Sequence, residues 1–466
     1  MERGKVAWPV AAFLLAGLLL RLFFLRHHAF LAGDSYLYQD IAQNWLHEHV
    51  YGLSTDAAPR PTLIRLPGYP AILAVLAWAF DGFLNADPGT LRSFLPVLWL
   101  QVLVDLFTCL LAGHLALRLF GTRAAMAALV MACLCPFTAN YTAVPLTETF
   151  TLFSLLLAFA ALRSWLDQPR LSALLWLALA LSCGILLRPD QGLLVLAVVP
   201  VLFFRPRVAT MRARLLPGAL CALLVVLPFL PWTVRNYRTF HVFQPLAPRL
   251  ANDPGELPPR GFQAWYRTWA VDFSSTEDAY WKYPEETVLV ADLPERAFDS
   301  TAERDEVNGL LQRTAATHQL NAAVERGFSE LAQQRTQEHP MRTYLLLPSA
   351  RLANMLLHPR TEMLSVAEHW WQYRLHPTQT LFAWVYGAWG FAYFAVGAAG
   401  VVRLFSAAHW HRTERSVVVS MLAYIGLRCL LLMTLDNAEQ RYTLEFFPLL
   451  FVFASALWAK PQERMA

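Results

Sequence analysis

Eleven apolar blocks dominate this chain, at 7–25, 69–84, 92–117, 122–139, 149–166, 171–187, 191–204, 214–232, 379–404, 416–434 and 444–459. Most run roughly 16 to 26 residues, the length a helix needs to cross a bilayer. The strands of a membrane barrel read instead as short alternating segments, so the pattern predicts an all-α polytopic membrane protein. Composition agrees: of 466 residues, 56% are hydrophobic and 15% charged, against about 25% charged in a soluble domain. The excess of 38 Lys+Arg over 34 Asp+Glu is too small to point to nucleic acid. All six cysteines lie in apolar blocks without zinc-site spacing, and read as small core residues.

Charge sets the topology. Cytoplasmic loops collect Lys and Arg, and Arg205–Arg214 carries four Arg and no acid. Arg118–Arg123, Arg163–Arg170, Arg403–Arg415 and the tail from Lys460 are basic turns on the same side. No small-residue cleavage site follows the first block, which reads as an uncleaved helix. With all these turns inside, both ends of block 69–84 fall outside. It therefore cannot cross, and an interfacial or re-entrant helix resolves the parity. About ten spans remain, with both termini cytoplasmic. The first outer loop, 27–91, is expected to hold two interfacial helices, Asp34–His49 and Tyr69–Phe80. A second outer segment, 233–378, holds an acid-rich stretch, Glu277–Glu338, that reads as soluble helices. Its Tyr344–Leu357 stretch, interrupted by Pro348 and Arg351, reads as a helix lying on the membrane.

In this topology the notable polar residues gather at the outer face. They are Asp34 and Asp40 with Tyr36 and Tyr38, Arg65, Thr147-Glu148, Arg188-Pro189-Asp190, Arg235-Asn236-Tyr237-Arg238 and Asp436–Tyr442. Each has an ordinary reading: Asp34 as a helix cap, Glu148 as an acid favoured by the helix dipole, Arg188 and Arg235 snorkelling to headgroups, Arg441-Tyr442 as an interface anchor. Asp105, within a span beside Gln101 and Thr108, suits a helix-packing hydrogen bond. His27-His28 and His47-x-His49 lack a matched set of metal partners. Capping alone does not explain six separated segments meeting on one face. Arg residues suit a phosphate or diphosphate; a carboxylate suits deprotonation of a hydroxyl, or a divalent metal. There is no P-loop and no dinucleotide fingerprint, and a lipid-carried donor needs neither.

Arg21, then Gly33-Asp34-Ser35-x-x-Tyr38-x-x-Ile41-Ala42, then Arg65-x-Pro67-Gly68-Tyr69-Pro70, resembles the opening of the multi-spanning GT-C glycosyltransferases. The nearest branch in pattern is bacterial family 39, the RgtA/B/C/D-like group, related to protein O-mannosyltransferases and aminoarabinose lipid A transferase. Arg118-Leu-Phe-Gly121, Leu146-Thr147-Glu148, Arg188-Pro189, Trp232-x-x-Arg235-Asn236 and Arg441-Tyr442 follow in the same order. The likeness covers about 7–240 and, loosely, the last span. The family's second acid is often Asp where this chain has Glu148, and Pro448 lies further from Arg441-Tyr442 than the family's proline. The resemblance implies two juxtamembrane helices in the first periplasmic loop, Asp34 as catalytic carboxylate and Glu148 beside it. It also implies a polyprenyl-phosphate sugar donor and inversion at the anomeric carbon.

The resulting expectation is an inner-membrane glycosyltransferase of a bacterium, acting on the periplasmic side. Asp34 and Glu148 are catalytic, or hold a divalent cation (Mg, Mn or Zn). Arg65, Arg188, Arg235 and Arg441 bind the donor phosphate, and Tyr38, Tyr69 and Tyr442 line the substrate pocket. Partners are the polyprenyl-phosphate sugar, membrane lipids, and an acceptor protein, lipid or cell-envelope glycan; nucleic acid is not among them. The chain divides into a transmembrane module, 1–232, with a catalytic outer loop, 27–91, then an extracytoplasmic helical region, 233–378, and a C-terminal three-helix segment, 379–466. The rival readings are a lipid or sugar transporter or flippase, a polyprenyl-diphosphate-dependent ligase or polymerase, and a non-catalytic membrane scaffold.

Overall fold

A computed structural model describes residues 2–80, 89–203, 211–367, 369–406 and 412–459. Most of the basic loop 205–214, the middle of the 403–415 turn and the tail from Lys460 fall outside the described residues. The chain is helical almost throughout. Helix α1 (Glu2–His27) is followed by the first outer loop, with α2 (Gly33–His47), a two-stranded ribbon β1 (Gly52–Leu53) and β2 (Arg60–Pro61), and α3 (Gly68–Ala79). Next come α4 (Leu95–Phe120), α5 (Thr122–Cys133), α6 (Pro136–Tyr141), α7 (Glu148–Asp167), α8 (Leu171–Leu187), α9 (Gly192–Phe203), α10 (Met211–Val226) and α11 (Phe229–Phe240). The second outer segment holds α12 (Arg260–Arg267), the short α13 (Phe273–Ser275), α14 (Thr301–Ala315), α15 (Ala322–Glu338) and α16 (Leu347–Leu357). The chain closes with α17 (Pro377–Ser406), α18 (Arg412–Met433) and α19 (Phe446–Ser455).

Among the described residues, five helices are long and apolar enough to cross a bilayer. They lie in α1, α4 (with the turn before it), α7, α17 and α18. The pair α10–α11, bent by 43°, makes a sixth if taken together. The other expected crossings fall on shorter pieces. Block 122–139 breaks into α5 and α6 at Pro136, and the final block is the ten-residue α19 followed by a tight turn. Block 214–232 likewise ends early, and α11 starts after Pro228 and runs on to Phe240, so Arg235 sits on a helix and not beyond one. A proline inside a helix removes a backbone donor and clashes with the preceding turn, which accounts for both breaks.

The interfacial reading of 69–84 agrees with α3, whose 12 residues extend about 18 Å at 1.5 Å per residue, short of a hydrocarbon core of about 30 Å. Its start is pinned. The Tyr69 hydroxyl donates to Gln101 Oε1 at 2.9 Å, and Gln101 Nε2 donates to the carbonyls of Tyr141, Thr142 and Val144. At Gly68 the α3 backbone lies against the end of α8, where a β-carbon would stand 2.5 Å from the Leu186 carbonyl oxygen. Gly68→Ala is therefore expected to push α3 away from α8 and cost about 1–3 kcal/mol, the usual range for overpacking. Thermal unfolding of the purified protein checks this; an unchanged midpoint would show that the approach is not tight.

The two ends of the bundle differ. At one, Arg118 at the end of α4 and Arg163 near the end of α7 both pair with Asp167. Arg163 Nη2 also donates to the Arg118 carbonyl at 3.1 Å. This is the end expected inside. At the other end lie α2, α3 and the segment 436–442.

In the acid-rich stretch, α14 and α15 are helices as expected, while 277–300 is mostly short turns. An aromatic core of Phe262, Trp265, Tyr283 and Phe328 joins α12 to α15, with Phe262 and Tyr283 stacked at 3.9 Å. Glu325 accepts from the Gly261 and Phe262 amides and the Tyr283 hydroxyl, fixing the start of α12. Arg351, which at sequence level interrupts an apolar helix, is fully buried in α16 and donates to the carbonyls of Arg267 and Ala270. The face left exposed by this stretch carries Tyr344, Leu346 and Leu357, in keeping with a helix resting on a membrane surface.

Candidate active site

Residues from five separated segments meet at the α2–α3 end of the bundle. Asp34 is the second residue of α2, whose cap position is Ala32 with no side-chain cap bond, so Asp34 does not serve as the helix cap. Its two oxygens face two guanidiniums: Arg65 Nη2 donates to Oδ1 at 2.8 Å, and Arg441 Nη1 to Oδ2 at 3.1 Å. Burial works against the charged carboxylate, but Arg441 and Arg65 outweigh it and hold Asp34 well below the usual carboxylate range. Asp34 and Arg65 are each about a quarter exposed, which leaves the group reachable from outside.

Beside this pair, Glu148 opens α7 nearly buried, and accepts from Arg188 Nη1 at 2.8 Å. Arg188 also faces Asp190 at 3.4 Å and Glu445 at 3.9 Å. It therefore does not snorkel toward headgroups. Arg441 pairs with Glu439, and the Tyr442 hydroxyl donates to Glu439 at 2.8 Å, so Arg441-Tyr442 is an interior element and not a surface anchor. The guanidinium carbons of Arg188 and Arg441 lie 5.7 and 5.4 Å from the Tyr442 ring centre, within cation–π range. Tyr38 packs edge-on against Tyr69, centroids 5.0 Å apart. Burial first, then the Asp34 charge, pushes the Tyr38 hydroxyl up to about 12. Asp34, Glu148, Arg65, Arg188, Arg441, Tyr38, Tyr69 and Tyr442 thus share one region.

Arg235 does not join them. Its guanidinium donates to the carbonyls of Tyr51 and Thr62, both at 2.6 Å, and lies 5.3 Å from the ring centres of Tyr51, Trp232 and Phe240. It clasps the 51–62 loop onto α11 through backbone carbonyls and aromatic faces, with no carboxylate ion pair among the described residues. Arg235→Gln is expected to lower stability by about 1–2 kcal/mol, the scale of a lost charged hydrogen bond, seen as a lower thermal unfolding midpoint. An unchanged midpoint would show that these contacts do not hold the loop to the helix. Asp40 is likewise a brace, accepting from the Ser54 amide and hydroxyl behind the ribbon.

Three further residues join the polar network, two of them with a signal in the sequence. Arg428 sits within an apolar span, itself a mark of function or pairing, and bridges Asp190 at 2.8 Å and Glu445 at 2.9 Å. Glu445 opens the last apolar block, and its partners Gln191 and Tyr424 tie the turn before α9 and α18 to the start of α19. Glu362 accepts from the Tyr141 hydroxyl at 3.0 Å; nothing in its loop sequence distinguishes it. Asp105, in contrast, takes the packing role expected of it. It is sealed in a buried pair with Arg21 at 2.5 Å.

For a divalent cation, the available donors are Asp34 and Glu148. Both Asp34 oxygens and one Glu148 oxygen already accept from guanidiniums. Among the described residues, no group of three His, Cys, Asp or Glu is placed to hold a metal ion.

Residues 89–232 match the family model of dolichyl-phosphate-mannose-protein mannosyltransferases. The match includes Glu148 and Arg188 and begins after Asp34 and Arg65. No curated protein matches the sequence significantly. Among solved structures, the oligosaccharyltransferase of Archaeoglobus fulgidus tethered to an acceptor peptide superposes with a TM-score of 0.52 at 12% identity, over 97% of this chain and 49% of that one. The AglB oligosaccharyltransferase of the same organism, in complex with an inhibitory peptide and a dolichol-phosphate, gives 0.50 at 10% identity, over 98% and 50%. ArnT from Cupriavidus metallidurans aligns more loosely, with a TM-score of 0.39 at 16% identity over 94% and 78%. This chain spans about half the length of the archaeal structures it matches. The helical order, the two short helices after the first span and the long apolar helices agree with one another: the chain is a multi-pass helical membrane protein with the GT-C fold.

Proposed function

We propose that this protein is an inner-membrane glycosyltransferase, moving a sugar from a polyprenyl-phosphate donor to an acceptor hydroxyl at the periplasmic face. The reading rests above all on Asp34, a carboxylate held between Arg65 and Arg441 at the mouth of an apolar bundle. The acceptor oxygen attacks the anomeric carbon from the face opposite the leaving group, and its proton passes to Asp34. The bond from the anomeric carbon to the phosphate oxygen breaks, and the phosphate departs with the electron pair onto Arg65, Arg441 and Arg188. Guanidiniums placed where that charge develops supply the larger electrostatic share. Glu148 holds Arg188 in position.

The resting ion pairs make Asp34 a weak base, because two cations stabilise its charged form. A donor phosphate drawing on Arg65 and Arg441 relieves that hold, so the carboxylate gains basicity only once the donor is bound. An apolar groove of about 280 Å³ between α1 and α4, lined by Leu14, Leu18, Leu103 and Phe107, is suited to a prenyl tail. The bound dolichol-phosphate of the archaeal AglB structure is in keeping with this donor class. The sequence-level charge rule places both termini in the cytoplasm and this site outside.

The test is transfer of label from polyprenyl-phosphate hexose, supplied to right-side-out and to inverted vesicles. Transfer confined to the periplasmic face supports the proposal; translocation of the lipid-linked sugar without transfer would establish a transporter. The same assay decides the metal question, since an archaeal relative in fold was solved in complex with Zn and sulfate. A cation at Asp34 and Glu148 must displace guanidiniums, so rates unchanged by EDTA would assign the counter-charge to arginine. Loss restored by Mg, Mn or Zn would assign it to the metal.

A further inference from the structure

Next to the site is a cavity about 490 Å³ in volume. Its walls come from the first outer loop at Leu63, from the chain at 242–254, from α12 and from Asp436. Leu63 lies two residues before Arg65, and Asp436 five before Arg441, so the cavity borders the candidate active site through both segments that hold Asp34. Three guanidinium side chains line it, those of Arg249, Arg260 and Arg267.

These charges are poorly balanced. Asp436 is the acid lining the cavity, 3.2 Å from Arg267 and 3.6 Å from Arg249. About nine-tenths buried, its Oδ1 makes no hydrogen bond of good geometry. Burial pushes its carboxyl up in spite of the neighbouring arginines. Arg260, exposed at the start of α12, has no carboxylate partner among the described residues. Behind α12 lies the fully buried Arg351, whose Nε and Nη2 are unpartnered. A cavity lined by three guanidiniums and one acid attracts an anion.

We propose that this cavity binds an anionic group of the acceptor, a phosphate or carboxylate carried on a hydroxyl-bearing sugar, and so presents the neighbouring hydroxyl to Asp34. This rests on the glycosyltransferase reading for its purpose, though not for the binding itself. The acceptor class is then an acidic glycan or glycolipid in place of a neutral one.

The experiment is calorimetric titration of the full chain, purified in detergent and saturated with undecaprenyl phosphate so that the donor site is occupied. The probes are glucose 1-phosphate, glucuronate and neutral glucose. Arg260→Glu is the main variant, because an acid in the first turn of α12 favours the helix and folding is preserved; Arg249→Gln is the second. At least one anionic probe is expected to bind the wild type at least tenfold more tightly than glucose, and to lose at least tenfold in Arg260→Glu. Binding of glucose 1-phosphate alone identifies a phosphate site, and binding of glucuronate a carboxylate-tolerant one. Equal binding of charged and neutral probes, or anion binding untouched by both variants, overturns the proposal. Undecaprenyl phosphate affinity, measured first in the same preparations, reports separately on the donor reading.

Discussion

Asp34→Asn should reduce sugar transfer by about 10²–10⁴-fold, the usual contribution of a positioned general base, while the protein is recovered folded in normal yield. Asparagine keeps the shape of the side chain but cannot take the acceptor's proton. It also removes the anion shared by Arg65 and Arg441, opening Arg65 and the Nη1 side of Arg441, which still pairs with Glu439, to a phosphate. Undecaprenyl phosphate is therefore expected to bind the variant as tightly as wild type or several-fold more tightly. The opposite movement of rate and affinity separates a lost base from a damaged fold, which would weaken both. Wild-type transfer by Asp34→Asn would remove Asp34 from the chemistry altogether.

The second large effect is on stability. Arg21 and Asp105 are each almost wholly buried, joining α1 to α4, and Arg21 also donates to the carbonyls of Gly17 and Cys133 at 2.8 Å. Removing one partner of such a pair leaves an uncompensated buried charge, at a cost of about 3–5 kcal/mol. Asp105→Ala is therefore expected to show a much lower thermal unfolding midpoint. Arg21→Met combined with Asp105→Leu is expected to recover most of the loss, since apolar side chains of similar volume carry no desolvation penalty. A double variant no better than the single one would show that the carbonyl contacts of Arg21, and not its charge pairing, hold the two helices.

Much of this architecture was legible from residue order. The apolar blocks and the basic turns specified a polytopic helical chain, and the parity of those turns marked 69–84 as non-crossing, in keeping with the short α3. Counting crossings put the segments of Asp34, Arg65, Glu148, Arg188, Arg235 and Arg441 on one side, since alternation of membrane sides is a topological constraint that needs no coordinates; all but Arg235 meet in one region. Block 214–232 hides a break, because hydropathy averages over Pro228 between α10 and α11.

Which charge meets which was beyond the reach of the sequence. Arg235 and Arg441 look alike as outer-face arginines, yet one clasps carbonyls and aromatic rings while the other faces Asp34. Arg428, Glu445 and Glu362 enter the polar network only through packing of distant helices. The acid-poor cavity of Arg249, Arg260 and Arg267 forms from the meeting of the first outer loop, α12 and the 436–442 segment. Apolar length and loop charge act one segment at a time, so sequence alone determined that this chain spans a membrane and which polar segments share a face. Ion pairing falls off over a few ångströms in a partly buried setting, so only the tertiary structure decided the partners of each arginine.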